Sequence, residues 1–245
     1  MSKLSDAMDR ARREQERPVM SEGPAPVVIG ASRVGLPSVD VEAYQSLGSD
    51  VYLALPDMTS RVVMLVSAES GAGTSTVARG FAATLATNGE IKTLLIDANL
   101  RKPVVHSAFG IQRSPGIADL VLGDASLDDC LRDASQPNLS IMPAGKPVVA
   151  PPRVFGDSGI DAILRELRSR FELIVIDSAP LIPFAEGTQL SRKADGVVVV
   201  IRSSVTRQAT LQRALVVLDD AGANVLGSVL NGRKFYIPRF IYDRL

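Results

Sequence analysis

Cysteine and histidine are almost missing from the 245-residue chain: Cys130 and His106 stand alone of their kinds. A single cysteine excludes an internal disulfide, and a Cys/His zinc site has no ligand set. A reducing compartment is the default expectation. Tryptophan is absent and aromatics make up 4% of residues, which argues against carbohydrate platforms and base-stacking surfaces. Neither charge sign dominates, with 27 Lys plus Arg against 27 Asp plus Glu. A net charge of zero provides no global steering toward nucleic acid or anionic lipid, and no nucleic-acid partner is expected. Long apolar runs are missing too. The longest, such as Val62–Val66, Leu173–Ile176 and Val197–Ile201, fall well short of the roughly 18 residues of a membrane-spanning helix. The opening MSKLSDAMDRARREQERP lacks the apolar core of a signal peptide. These absences predict a soluble chain whose membrane contact is peripheral or made through a partner.

What is present is an ordinary globular content of 46% hydrophobic residues. Four segments are expected. Residues 1–17 carry Leu4, Ala7, Met8 and Ala11 at helical spacing on a charged background, and Pro18 stops them. Residues 18–39 hold Pro18, Pro24, Pro26 and Pro37 and read as a linker or extended arm. Residues 40–232 alternate apolar strands with amphipathic helices. Residues 233–245 form an aromatic and basic tail, read as packing on the domain or a partner rather than on a membrane.

Within 40–232, helices are expected over 40–55, 74–88, 160–170 and 207–220. Strands are expected at 61–67, 91–97, 138–142, 171–177, 196–202 and 224–230. The strands are nearly all apolar, as in sheets buried on both faces. The predicted fold is α/β: a doubly wound, mostly parallel sheet with helices on both faces. Ligands in such sheets sit at the carboxyl ends of the strands.

Three of those ends carry chemistry. After the first core strand comes SAESGAGTSTVARG, residues 67–80. Gly71 and Gly73 let backbone N–H groups turn inward around a phosphate, with Ala72 between them and Thr74 opening the next helix. Ser75 is placed for magnesium and Thr76 for a phosphate oxygen. The next strand ends on Asp97, and a later one, FELIVIDSAP, on Asp177. Either acid alone is often a turn or cap residue. Both together beside a glycine-rich loop describe a magnesium-nucleotide site. Cys130 and His106 have no sequence partner that suggests catalysis.

The order SAESGAGTST, LLIDANLRKP, LIVIDSAP and SVLNGR resembles the bacterial tyrosine kinases of surface-polysaccharide synthesis, which share a P-loop group with the ParA/MinD ATPases. The resemblance spans roughly residues 40–232 and includes VEAYQSLGSDVYLAL. It implies a P-loop nucleoside-triphosphatase fold, ATP and Mg2+ as cofactors, and a Walker A loop at 68–76. It places Asp97 on the first acid of the second acidic motif, Asp177 on the Walker B acid, and Asn231 against the nucleotide base. Catalytic work would then fall to Asp97 and Asp177, and metal binding to Ser75 and Asp177. It also implies a membrane-embedded polysaccharide co-polymerase or export protein as partner, and hence a cytoplasmic protein held peripherally at the inner membrane.

The chain departs from that pattern in four places. The Walker A lysine is Thr74, so the charge that touches the β- and γ-phosphates is gone. Glu69 adds negative charge to the same loop. The second acid of the acidic motif is Asn99. In the family's Glu-x-x-Arg-x-x-Arg oligomerisation motif the residues are Glu42, Gln45 and Gly48, so ring assembly of a homo-oligomer is in doubt. The tail offers only Tyr236 and Tyr242 as acceptors. The expectation is impaired phosphotransfer, a pseudokinase. The alternatives are an active autokinase in which Arg101, Lys102, Lys146 or a partner's arginine replaces the lysine, and a ParA/MinD-like positioning ATPase.

Overall fold

A computed structural model describes residues 27–30, 41–156 and 159–232. The expected terminal helix at 1–17 and the tail at 233–245 lie outside the described residues. The strands are β1 (Val27–Gly30), β2 (Arg61–Val66), β3 (Thr93–Ala98), β4 (Arg132–Asp133), β5 (Leu139–Met142), β6 (Leu173–Ser178), β7 (Gly196–Arg202) and β8 (Val225–Asn231). They form one sheet in the order β1-β8-β7-β2-β6-β3-β5-β4. Every pairing is parallel except β4 with β5. Every residue of β2, β3 and β6 is buried, which is why those strands read as unbroken apolar runs.

The helices are α1 (Val41–Ala54), α2 (Thr74–Asn88), α3 (Val105–Ala108), α4 (Ile117–Val121), α5 (Leu127–Cys130), α6 (Pro151–Gly156), α7 (Gly159–Arg168), α8 (Ala185–Ser191) and α9 (Gln208–Asp220). They divide the apolar residues into two cores, one on each face of the sheet. The doubly wound parallel fold is thus as expected. The chain visits β3, β5 and β4 on one side of β2, returns to insert β6 between β2 and β3, then builds β7 and β8 on the other side. The order reverses around β2, so a crevice opens at its carboxyl end.

One difference from the sequence reading concerns position. Residues 27–30, inside the stretch expected to be a linker, form an edge strand paired with Gly227–Leu230. The prolines flank this segment, so its amides remain free to join the ladder. In the motif helix Glu42 and Gln45 are exposed while Gly48 is buried. Tyr44, Leu47, Gly48 and Val51 of α1 are buried, facing α2. A Cβ on Gly48 would stand 2.7 Å from Cδ2 of Leu85, and one on Gly80 would stand 2.4 Å from the Tyr44 ring. Gly48, where the family motif has an arginine, therefore serves close helix packing within the chain.

Candidate functional site

The site starts from the end of β2. Gly71 and Gly73 take φ values of 87° and 88°, conformations that side chains disfavour. The turn they make ends at Gly73, the N-cap of α2, which has no side chain to accept the helix's first amides. The amides of Thr76 and Val77 bond back to the Gly73 carbonyl, both at 3.0 Å. The opening of a 15-residue helix therefore faces the crevice without a side-chain cap, an arrangement suited to an anion.

The loop is held from outside. Nδ2 of Asn231, at the end of β8, donates to the Ala72 carbonyl at 2.8 Å, and Arg202 at the end of β7 donates to the Gly71 carbonyl at 2.7 Å. The segment after β6 is stitched to the loop's first residues, with the amides of Leu181 and Ile182 on the carbonyls of Ser67 and Ala68. Asn231 thus pins the loop and is itself buried. A Cβ on Gly73 would stand 2.0 Å from Asn231 Nδ2. Gly73→Ala is therefore expected to break the Asn231–Ala72 bond and strain the turn, at about 1–3 kcal/mol. A lower thermal midpoint, with ADP affinity reduced at least about tenfold, would be the result in melting and titration experiments.

The cavity so formed holds about 230 Å³ and is lined by Ser67, Ser70, Gly71, Gly73, Thr74, Ser75 and Thr76 on the loop side, facing Asn99, Lys102, Ser178 and Pro180. Gly71, Gly73, Thr74, Ser75 and Thr76 are where the sequence placed them. Ala72 turns its side chain into the core and offers the site only backbone. Glu69 belongs to the same loop, where its carbonyl accepts from the Ser67 hydroxyl at 2.9 Å, but it is not among the lining residues. Sequence reasoning missed Arg202, Ser70, Ser178 and Pro180. Ser178 and Pro180 could have been found, since they follow Asp177 directly in the strand-end motif.

The two acids sit side by side. Asp97 and Asp177 are register partners on β3 and β6, both fully buried. Their environments differ. Oδ1 of Asp97 accepts from the Asn99 amide at 3.2 Å, and Oδ2 from the amides of Val104 and Val105 at 3.1 and 3.0 Å. Burial pushes its pKa up to about 6, with those amides and Arg113 restraining the rise. Asp97 therefore organises the loop after β3 from beside Asp177. Neither oxygen of Asp177 has a hydrogen-bond partner among the described residues. Burial, then the neighbouring Asp97, lift its pKa to about 8. The Ser75 hydroxyl lies near enough to moderate this without a well-formed bond, and Arg79 helps.

Two unpartnered carboxylate oxygens behind a cavity-facing serine fit a divalent cation. The described residues contain no cluster of three or more His, Cys, Asp or Glu that could hold a metal alone. That suits magnesium, which takes most of its oxygens from phosphate and water. Ser75 and Asp177 are the residues that would hold it. It would supply charge neutralisation for the phosphates.

The cations proposed to replace the lysine are separated by the structure. Arg101 pairs with the fully buried Glu186 and lies over the Phe184 ring at 4.2 Å. Lys146 pairs with Asp124 on the surface. Neither lines the cavity. Lys102 does.

The comparisons with known proteins agree with this geometry. The family described as AAA domain matches residues 60–220. The tyrosine-protein kinase YwqD of Bacillus subtilis is 29% identical over 197 residues, covering 80% of this chain and 83% of YwqD. The VpsO kinase domain is 33% identical, with a TM-score of 0.70 over 77% of this chain and 93% of that one. The fold is shared with the septum site-determining protein MinD of Pyrococcus horikoshii OT3, solved with Mg-ADP, at 22% identity and a TM-score of 0.59 over 75% of this chain and 76% of MinD. With a glycine loop, two strand-end acids and this kinship in place, the chain belongs to the AAA-domain family, among the bacterial tyrosine kinases.

Proposed function

We propose that this protein binds a magnesium nucleotide, transfers phosphate poorly, and supports or regulates the synthesis and export of surface exopolysaccharide or capsule. It would act from the cytoplasmic face of the inner membrane, docked on a membrane-embedded chain-length or export protein. The observation that carries the reading is Thr74, buried to 8% exposure, standing in a preserved cradle where the family has lysine. Thr74 brings no charge to a phosphoryl group in flight. Fixed cations at such positions contribute several kcal/mol to the transition state, so a loss of about a hundredfold or more in rate is expected.

The glycine-loop cavity at the start of α2 supports this role, and so does kinship with proteins named tyrosine kinases. No helix among the described residues is long and apolar enough to cross a membrane, which leaves membrane attachment to a partner. The test compares removal of the gene with Ser75→Ala. Deletion should abolish polymer production, while Ser75→Ala should retain most of it. If Ser75→Ala is as defective as deletion, turnover or nucleotide binding is essential and the docking role fails.

The second reading, an active tyrosine autokinase, is favoured by Lys102, which brings a positive charge to the cavity. Its acceptors Tyr236 and Tyr242 lie outside the described residues. Incubation with Mg-ATP followed by phosphotyrosine mass spectrometry decides it: label on either tyrosine establishes it, and none removes it.

A further inference from the structure

Lys102 is the one charged residue among those lining the cavity. Its side chain makes no ion pair or hydrogen bond among the described residues, while its neighbours are tied down. The loop that carries it is wound around the Asp97 carboxylate through the amides of Asn99, Val104 and Val105. The Lys102 amide itself donates to Oδ1 of Asn99 at 3.2 Å. Arg101, next in sequence, is latched to Glu186 by two contacts. The backbone under Lys102 is thus held on both sides, and its exposed ammonium is left over.

Its position matters as much as its charge. The P-loop lines the cavity from the end of β2 as one wall, and Lys102, with Asn99, lines it from the loop after β3 as a second. Phosphates cradled by backbone amides at the start of α2 would lie nearer the first wall. A further phosphate at the end of the chain would extend toward the second. We propose that Lys102 makes the cationic contact to the terminal phosphate of a nucleoside triphosphate and so sets the preference of this site for triphosphate over diphosphate. The inference rests on the reading of the cavity as a nucleotide site and adds which residue tells the two nucleotides apart. Lysine is suited to this as a mobile point charge on a long stem.

The experiment is calorimetric titration of the full chain with Mg-ADP and with a magnesium complex of a non-hydrolysable ATP analogue. Lys102→Gln is expected to weaken the triphosphate analogue about tenfold or more and ADP less than about threefold. Lys102→Arg should keep the preference, because the charge remains. Lys146→Gln should change neither, because its cation is spent elsewhere. Circular dichroism melts of all variants check that the fold is intact. Equal affinities in Lys102→Gln and the unmodified chain overturn the inference but leave the nucleotide reading standing. Equal weakening of both nucleotides also overturns it, since Lys102 would then hold the inner phosphates or the loop. Absence of binding by the unmodified chain overturns the nucleotide reading and this inference together.

Discussion

Replacing Thr74 with lysine is expected to raise the affinity for Mg-ATP by about tenfold or more, a gain of roughly 1.4 kcal/mol or greater. The reason is that the backbone cradle already has its working shape. Gly71 and Gly73 hold positive φ, Asn231 and Arg202 pin the loop carbonyls from behind, and residue 74 already lines the cavity. A lysine there needs no rebuilding of the loop to reach the inner phosphates. Thr74→Gln, of similar length and no charge, should show no such gain. That pair of variants separates charge from bulk. If Thr74→Lys leaves affinity unchanged while the protein stays folded, the loop is not a phosphate cradle, and the nucleotide reading of the cavity is wrong. If it also restores phosphotransfer to a tyrosine, the lost lysine is the main defect and Asn99 a minor one.

The framework for that experiment was largely visible in the residues. Long apolar strands ending in small or acidic residues, separated by helices with i, i+4 stripes, specify a doubly wound sheet without tertiary information. β2, β3, β6 and β7 and helices α2 and α9 lie within a residue or two of expectation, because burial on both faces leaves an unbroken apolar signature. What stayed hidden depended on distant partners. β1 is a strand because β8 offers it an edge, and no local pattern announces that. Helices α3, α4 and α5 have four or five residues each, too few to display a helical period. At the site, the glycines, Ser75 and both acids were legible as residue types at strand ends. Their division of labour was not. Asp97 became an organiser of its loop because amides at 99, 104 and 105 fold back onto it, and Asn231 became a prop because it meets Ala72 from across the sheet. Arg101 and Lys146 were equal to Lys102 as candidate cations until Glu186 and Asp124, 85 and 22 residues away, occupied the first two.

The Asp97–Asp177 pair supplies the other large effect, a stability that falls with rising pH. Burial holds the Asp177 pKa near 8 and that of Asp97 near 6 in the folded chain, against an ordinary 3.8. Between 3.8 and those values the native state retains protons that the unfolded chain has released. More protons bound to the native state means that unfolding becomes easier as pH rises through that window. The contribution levels off about one pH unit below 3.8 and about one unit above 8. From pH 5 to pH 8 the nucleotide-free protein should lose stability on the order of 5 kcal/mol, or about 10–20 °C in thermal midpoint for a chain of this size. Asp177→Asn removes the larger titration and leaves that of Asp97, whose rise comes from burial. Its midpoint should therefore be nearly flat above about pH 7. Magnesium nucleotide should reverse the trend in the unmodified protein, because a divalent cation binds the ionised carboxylate and displaces its proton. The added stabilisation by Mg-ADP over ADP with chelator should then grow from pH 6 to pH 8, and should vanish in Asp177→Asn. A midpoint independent of pH in the unmodified chain would show that the two buried carboxyls do not carry protons. An undiminished magnesium increment in Asp177→Asn would place the metal on other oxygens.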